Sequence, residues 1–262
     1  MKTAQESANA LEYMALAGWS VEDSTTALMP VLKLSAATGA DLATTSDLVT
    51  DSMANLGLGI GDLNHYLDVS ATANNKSNQT AMQLQEAYLG VGGVLKNLNS
   101  PIEESAAVLG VLANRGTKGS EAGTALNAIL VNMQKQSGDA YKAMSKLGVS
   151  MYDSSGKARS IIDVFQEISD KTAGMTEENR NLMYQMIGGK SHLDSFAKIM
   201  QGFTTDTADG QKEVYSLVNA FKDCDGALDK LYGIKTDTLE GSLATLNSAY
   251  DDMKISIGES IA

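Results

Sequence analysis

The sequence predicts an all-α protein: a multi-helix array of helical hairpins, one small β-hairpin near 149–159 and a long C-terminal helix. Three observations carry this expectation. Apolar residues recur at i, i+3, i+4 and i+7 in most segments. Only two prolines interrupt 262 residues. Aromatics make up just 5% of the chain, while Ala, Ser, Thr, Gly and Met are plentiful. Small side chains let helices approach closely, and Met fills irregular gaps.

In chain order, residues 4–17 form a first helix with Leu11, Met14 and Ala15 on its apolar face, ended by Gly18. Ser20 caps the next, which carries Leu28, Val31 and Leu32. Pro30 lies inside it, so a kink or early break is expected. Asp41 caps a third helix with Leu42, Val49, Met53 and Leu56. Residues 57–61 make a turn, and Asp62 caps a short helix through Leu63 and Leu67. Residues 74–79 (NNKSNQ) read as an exposed polar loop. Thr80 and Gln83 form a capping box. The helix they open carries Met82, Leu84, Ala87, Tyr88 and Val91. Gly90, Gly92 and Gly93 each weaken its far end by about 1 kcal/mol relative to Ala. Either that end is loose, or another helix packs directly on its backbone.

The central hairpin, residues 100–133, has the strongest signals. Ser100 as cap, Pro101 at the first helical position and Glu103 reaching back define its start. Ile102, Ala106, Leu109 and Ala113 share one face. Gly116 ends the helix, with Arg115 against the negative end of the dipole. Ser120 caps the second arm, whose stripe is Ala122, Ala125, Leu126, Ile129, Leu130 and Met133. An earlier segment is similar: Leu28 corresponds to Leu109, Gly39 to Gly116 and Leu48 to Leu126. The offset drifts from 81 residues at Leu28 to 78 at Leu48, so the repeat (20–56 and 100–133) is approximate. A doubled hairpin suggests a structural array rather than one tailored pocket.

Asp139 to Leu147 is helical, and Gly148 stops it. Val149 to Asp153 alternates apolar and polar, residues 154–156 turn, and Lys157 to Arg159 return, giving the β-hairpin. Ser160 caps a helix with Ile161, Val164, Phe165 and Ile168. Thr176 caps another through Leu182, Met183 and Met186. Ser191 opens a third with Leu193, Phe196, Ile199 and Met200. Two shorter helices carry Val214, Leu217, Val218 and Phe221, then Leu228 and Leu231. The organisation is thus a helical domain at 1–147, a β-hairpin at 148–160, a second helical subdomain at 161–235 and the start of a heptad-like helix at 236–262.

In that last segment Leu239, Leu243, Leu246, Tyr250, Met253 and Ile257 are spaced 4, 3, 4, 3, 4. The spacing fits a self-associating coiled-coil seam or an amphipathic helix packed on its own domain. No helix-ending signal precedes Ala262, so the pattern reads as continuing.

Several chemical motifs are tempting and weak. Gly189-Lys190-Ser191 looks like the end of a phosphate loop, but Tyr184 replaces the required glycine and a helix precedes it. Gly57, Gly59 and Gly61 lack both the final glycine, which is Asp62, and a preceding strand. His65 and His192 have no Cys or second His near them in sequence. Cys224 sits between Asp223 and Asp225, which disfavours its thiolate. No catalytic residue, cofactor or metal is expected.

A net charge of −12 argues against non-specific duplex DNA binding and against docking on anionic lipid. A single cysteine precludes an internal disulfide and fits a reducing compartment. The first residues lack the apolar core of a signal peptide. No apolar run approaches the length of a membrane span.

Four segments together resemble a known family. They are Ala10–Trp19 (ALEYMALAGW), Leu42–Asp51 (LATTSDLVTD), Leu112–Leu126 (LANRG, then KGSEAGTAL from Lys118) and Leu147–Met151 (LGVSM). In this order they are similar to the conserved domain of phage tail tape measure proteins, also called phage-related minor tail proteins. The resemblance implies a structural virion protein of the tail lumen, assembled in the host cytoplasm. It would set tail length during tube assembly and leave ahead of the DNA. Its partners would be further copies of itself and the tail tube and tail assembly proteins. Such proteins are several times longer than this chain. The alternatives are a tail-associated cell-wall-degrading enzyme and a membrane-perturbing helical protein.

Overall fold

The computed structural model describes residues 4–237. The described residues form thirteen α-helices and two 3-10 turns. They are α1 (Ala4–Leu16), α2 (Val21–Thr38), α3 (Leu42–Leu56), α4 (Leu63–Lys76), α5 (Ala81–Asn97), α6 (Ile102–Asn114) and α7 (Ser120–Met133). The remainder are α8 (Gly138–Leu147), α9 (Ile161–Ala173), α10 (Glu177–Gly188), α11 (Leu193–Gly202), α12 (Glu213–Lys222) and α13 (Ala227–Thr236). The fold is all-α.

Several predicted starts hold in detail. Ser20, Thr80, Ser160 and Thr176 each accept a hydrogen bond from the amide three residues on. Asp41 does the same for Thr44. Thr80 and Gln83 close a reciprocal box, at 3.1 and 3.0 Å. Each such bond satisfies an amide that the helix itself cannot.

Other starts are corrected. Ser100 does not cap α6. Asn99 takes φ 49°, its amide bonds Lys96 O, and the Ser100 amide bonds Leu95 O. These two bonds close the end of α5 in a Schellman pattern. Ser100 Oγ makes no capping bond to α6, and Pro101 stands at the N-cap of α6. Gly119, at φ 61°, replaces Ser120 as the cap of α7. Ser191 lies in the 3-10 turn Lys190–His192, and His192 precedes α11.

Pro30 does not break α2, which runs unbroken from Val21 to Thr38. Buried Ala27, Val31 and Leu34 flank it, so packing on both sides offsets the one lost hydrogen bond. The expected loop at 74–79 is shorter, because α4 continues to Lys76, and Gln79 is buried. The expected β-hairpin reduces to a single antiparallel bridge between Tyr152 and Ala158. A second bridge of the same design joins Asp206 and Lys212, where the sequence pattern gives no strand signal. In each, an Asp gathers the turn's donors. Asp153 Oδ1 accepts from the Ser155 and Lys157 amides, and Asp209 Oδ1 from the Gln211 amide and the Thr207 hydroxyl. Gly156 and Gly210 supply positive φ at the same place in each turn.

Two compact units are present. The first takes the described residues up to Ala54, Leu58–Thr72 and those from Cys224 on; the second takes Asn55–Gly57 and Ala73–Asp223. α13 groups with α1 and α2 in the first unit. In the first unit α2 packs on α1 and α13. Its core includes Met14, Val31, Leu34, Leu42, Met53 and Leu67. Tyr66 is fully buried there, its hydroxyl 2.5 Å from Ser52 Oγ. Burial pushes that hydroxyl's pKa up, against the opposing pull of Ser52 and Ser70.

The second unit is built around α6 and α7. Every α6 residue from Ser105 to Ala113 is buried, where sequence spacing indicates one face. A helix apolar all round belongs in a core, and α12, α11, α9, α7 and α5 surround this one. Phe165, Phe196, Phe203, Tyr184 and Tyr215 form a linked aromatic cluster with centroids 5.2 to 6.3 Å apart.

Candidate functional site

The predicted self-association seam of Leu239, Leu243, Leu246, Tyr250, Met253 and Ile257 lies outside the described residues. Within them, three places concentrate unusual geometry, all in the second unit.

The first is the crossing of α5 and α7. Gly90 faces the Gly123–Thr124 backbone, and Gly123 lies against the Ala87 carbonyl so closely that no Cβ fits there. Gly92 lies against Asn55, whose Nδ2 donates to Tyr88 O at 2.7 Å and Leu89 O at 2.9 Å. Of the two expectations for the glycine-rich end of α5, direct packing of another helix on its backbone is the one observed. The sequence carries no sign of the Asn55 amide as a partner.

The second is a polar bridge between α6 and α12. Arg115 Nη2 meets Glu213 Oε2 at 2.6 Å, with both side chains mostly withdrawn from water. Arg115 Nε donates to Gln201 Oε1, and Nη1 to Val111 O. Asn114 Nδ2 donates to the other Glu213 oxygen at 2.7 Å. The expected role of Arg115 at the C-terminus of α6 is thus present, through the Val111 carbonyl, and is the smaller part of what it does. Charge-assisted, multiply bonded pairs of this kind fix geometry strongly.

The third is a cleft of about 450 Å3 between the end of α7, the start of α8 and one side of α10. Asn132, Lys135, Gly138, Leu182, Met186 and Lys190 line it. Leu182 is exposed there, although the α10 periodicity groups it with Met183. Asn132 Nδ2 donates to Gly188 O, holding the end of α10. Gly189, Lys190 and Ser191 follow that helix end, and α10 precedes them where a phosphate loop needs a strand. Asp139 is the one carboxylate in the lining, which contains no histidine or cysteine.

The remaining candidates are dispersed. His65 Nδ1 lies 3.9 Å from Cys224 Sγ, and Cys224 is buried. His192 belongs to the turn before α11. Among the described residues no group of three or more His, Cys, Asp or Glu side chains is placed to hold a metal ion. No described helix is long and apolar enough to cross a membrane. The Asp51 carboxyl is raised from its ordinary value by burial and then by Asp47. Tyr215 is raised by burial and by Asp163 and Asp170.

Glycine-mediated helix crossings and a largely withdrawn ion pair between helices hold together an all-α module. The chain belongs to the phage-related minor tail protein family, whose sequence model matches residues 1–189. It is similar to a protein of Pneumococcus phage Dp-1 described as a tape measure protein. The two are 29% identical over 198 residues, which is 76% of this chain and 17% of the phage protein. The chain therefore spans less than a fifth of that relative's length. No solved structure matches it. Family membership gives it a structural role in a phage tail.

Proposed function

We propose that this chain is a folded segment of a tape measure protein, which fixes tail length during tube assembly and leaves the tail ahead of the DNA. The observation that carries this reading is the alignment with the Dp-1 protein across three quarters of the chain. The all-helical fold is consistent with it, because a helix converts residue number into length at about 1.5 Å per residue. On this reading the protein resides in the tail lumen and assembles in the host cytoplasm. It contacts tail tube and tail assembly proteins, and acts through helix–helix contacts rather than catalysis.

The test uses the phage or prophage that encodes the chain. In-frame deletions in helical sequence outside residues 1–262 should shorten the tails seen by electron microscopy, in proportion to the residues removed, by about 1.5 Å each. Tails of unchanged length, with the shortened protein present in purified particles, would overturn the proposal.

A further inference from the structure

The last described helix, α13, is held to the first unit more by polar bonds than by apolar burial. It buries only Leu228, whereas α6 of the second unit buries nine residues. Its first turn carries two polar attachments to other helices. The Asp68 carboxylate, on α4, accepts from the Gly226 amide through Oδ2 at 3.0 Å and from the Leu228 amide through Oδ1 at 2.9 Å. Residue 226 is itself a glycine at φ 74° with no side chain to offer as a cap. Asp68 therefore caps the start of α13, supplied from 160 residues away. In the same turn Lys33 Nζ of α2 meets Asp229 Oδ1 at 2.6 Å, in a pair that remains substantially exposed.

We propose that α13 is a releasable latch. Residues 224–237 open as a local unit, freeing the side of α2 that they cover, before the rest of the fold gives way. The physical ground is the imbalance between apolar burial and polar anchoring. Segments with few buried apolar contacts open with small free energies, and well-buried ones open only with the whole fold. The Asp68 bonds act as the catch, because a helix start without a cap leaves its first amides unsatisfied. The exposed Lys33–Asp229 pair adds little, as such pairs generally do. The latch does not depend on the proposed role in tail length.

Native-state hydrogen exchange in low guanidinium, on the intact chain, tests this. In the wild type, amides of 227–236 should exchange about 100-fold faster than those of the buried stretch 46–53 of α3, in the same unit, with little dependence on denaturant. Asp68→Ala should speed exchange in 227–236 by a further factor of about ten, leaving 46–53 unchanged. Lys33→Ala should change the same amides about twofold or less. Convergence of the wild-type α13 amides with those of 46–53 overturns the latch. So does an Asp68→Ala variant that exchanges like the wild type, or one that accelerates all helices equally. Should Asp68→Ala fail to fold, the wild-type comparison decides by itself.

Discussion

Gly123 of α7 rests directly on the carbonyl of Ala87 in α5, so that a single added methyl would overlap the Ala87 oxygen. The two backbones meet there with no side chain between them. A glycine inside a helix costs about 1 kcal/mol relative to alanine, and here it permits the crossing on which the second unit is assembled.

Gly123→Ala should therefore destabilise the protein despite its better helix propensity. The overlap is with backbone, which cannot rotate away, so a net loss of about 1–3 kcal/mol is expected. Gly233, in α13, has open space for 4 Å around the position a Cβ would take, and no positive φ. Gly233→Ala should stabilise α13 by up to about 1 kcal/mol. Guanidinium unfolding gives the sign for Gly123→Ala and hydrogen exchange of amides 227–236 that for Gly233→Ala, and a stabilising Gly123→Ala would refute the close crossing.

Removing one side of the α6–α12 bridge should be costly. Arg115→Met leaves Glu213, only 12% exposed, without its cation, for an expected loss of about 1–3 kcal/mol. Replacing both residues, as Arg115→Met with Glu213→Leu, should recover most of that loss, because an apolar pair carries no unpaired charge. Thermal unfolding of the single and double variants closes the cycle. Equal losses in both would show that the charge pairing is not the cause.

The two Asp-centred turns predict an acid limb. The Ser155 hydroxyl, and then the Lys157 amide, hold Asp153 below its ordinary value of 3.8; the Thr207 hydroxyl and Gln211 amide do the same for Asp209. The unfolded chain thus takes up these protons first. Stability from the two turns is complete above 3.8 and is lost as pH falls through the lower folded values. In an Asp153→Asn, Asp209→Asn variant the stability difference from wild type should shrink below pH 3.8. A pH series of denaturant midpoints measures it, and a difference that stays constant far below that value would contradict the assignment.

The heptad-spaced residues beyond the described helices make a separate prediction. If they self-associate, Leu246→Asp with Met253→Asp should abolish oligomers in analytical ultracentrifugation, since a charge at a seam position is desolvated without a partner. A wild-type chain that stays monomeric at high concentration defeats this idea.

How much of the fold is legible in the sequence follows the range of the interactions. Caps at Ser20, Asp41, Thr80, Ser160 and Thr176 are legible because cap and amide lie three residues apart. Ser100 misleads because the turn at Asn99, φ 49°, places Pro101 at the N-cap and leaves Ser100 Oγ without a bond to α6. The strand pattern at 149–159 is legible as a turn, but the single bridge that forms there has no neighbouring strand to extend it. Gly123 carries no signal beyond being a glycine in a helix, and Gly90 and Gly92 leave a choice that packing alone settles.

The sequence by itself determined that the chain is helical, where most of its helices begin and stop, and that it resembles a phage tail protein. Those properties rest on hydrogen bonds between residues three or four apart and on motifs read in order. Tertiary structure decided that Arg115 meets Glu213 across 98 residues and that Asp68 caps a helix 160 residues later. It also decided which glycines admit a neighbouring backbone. A helix can present several apolar or polar faces with equal local ease, and only the simultaneous burial of all of them selects which two faces meet.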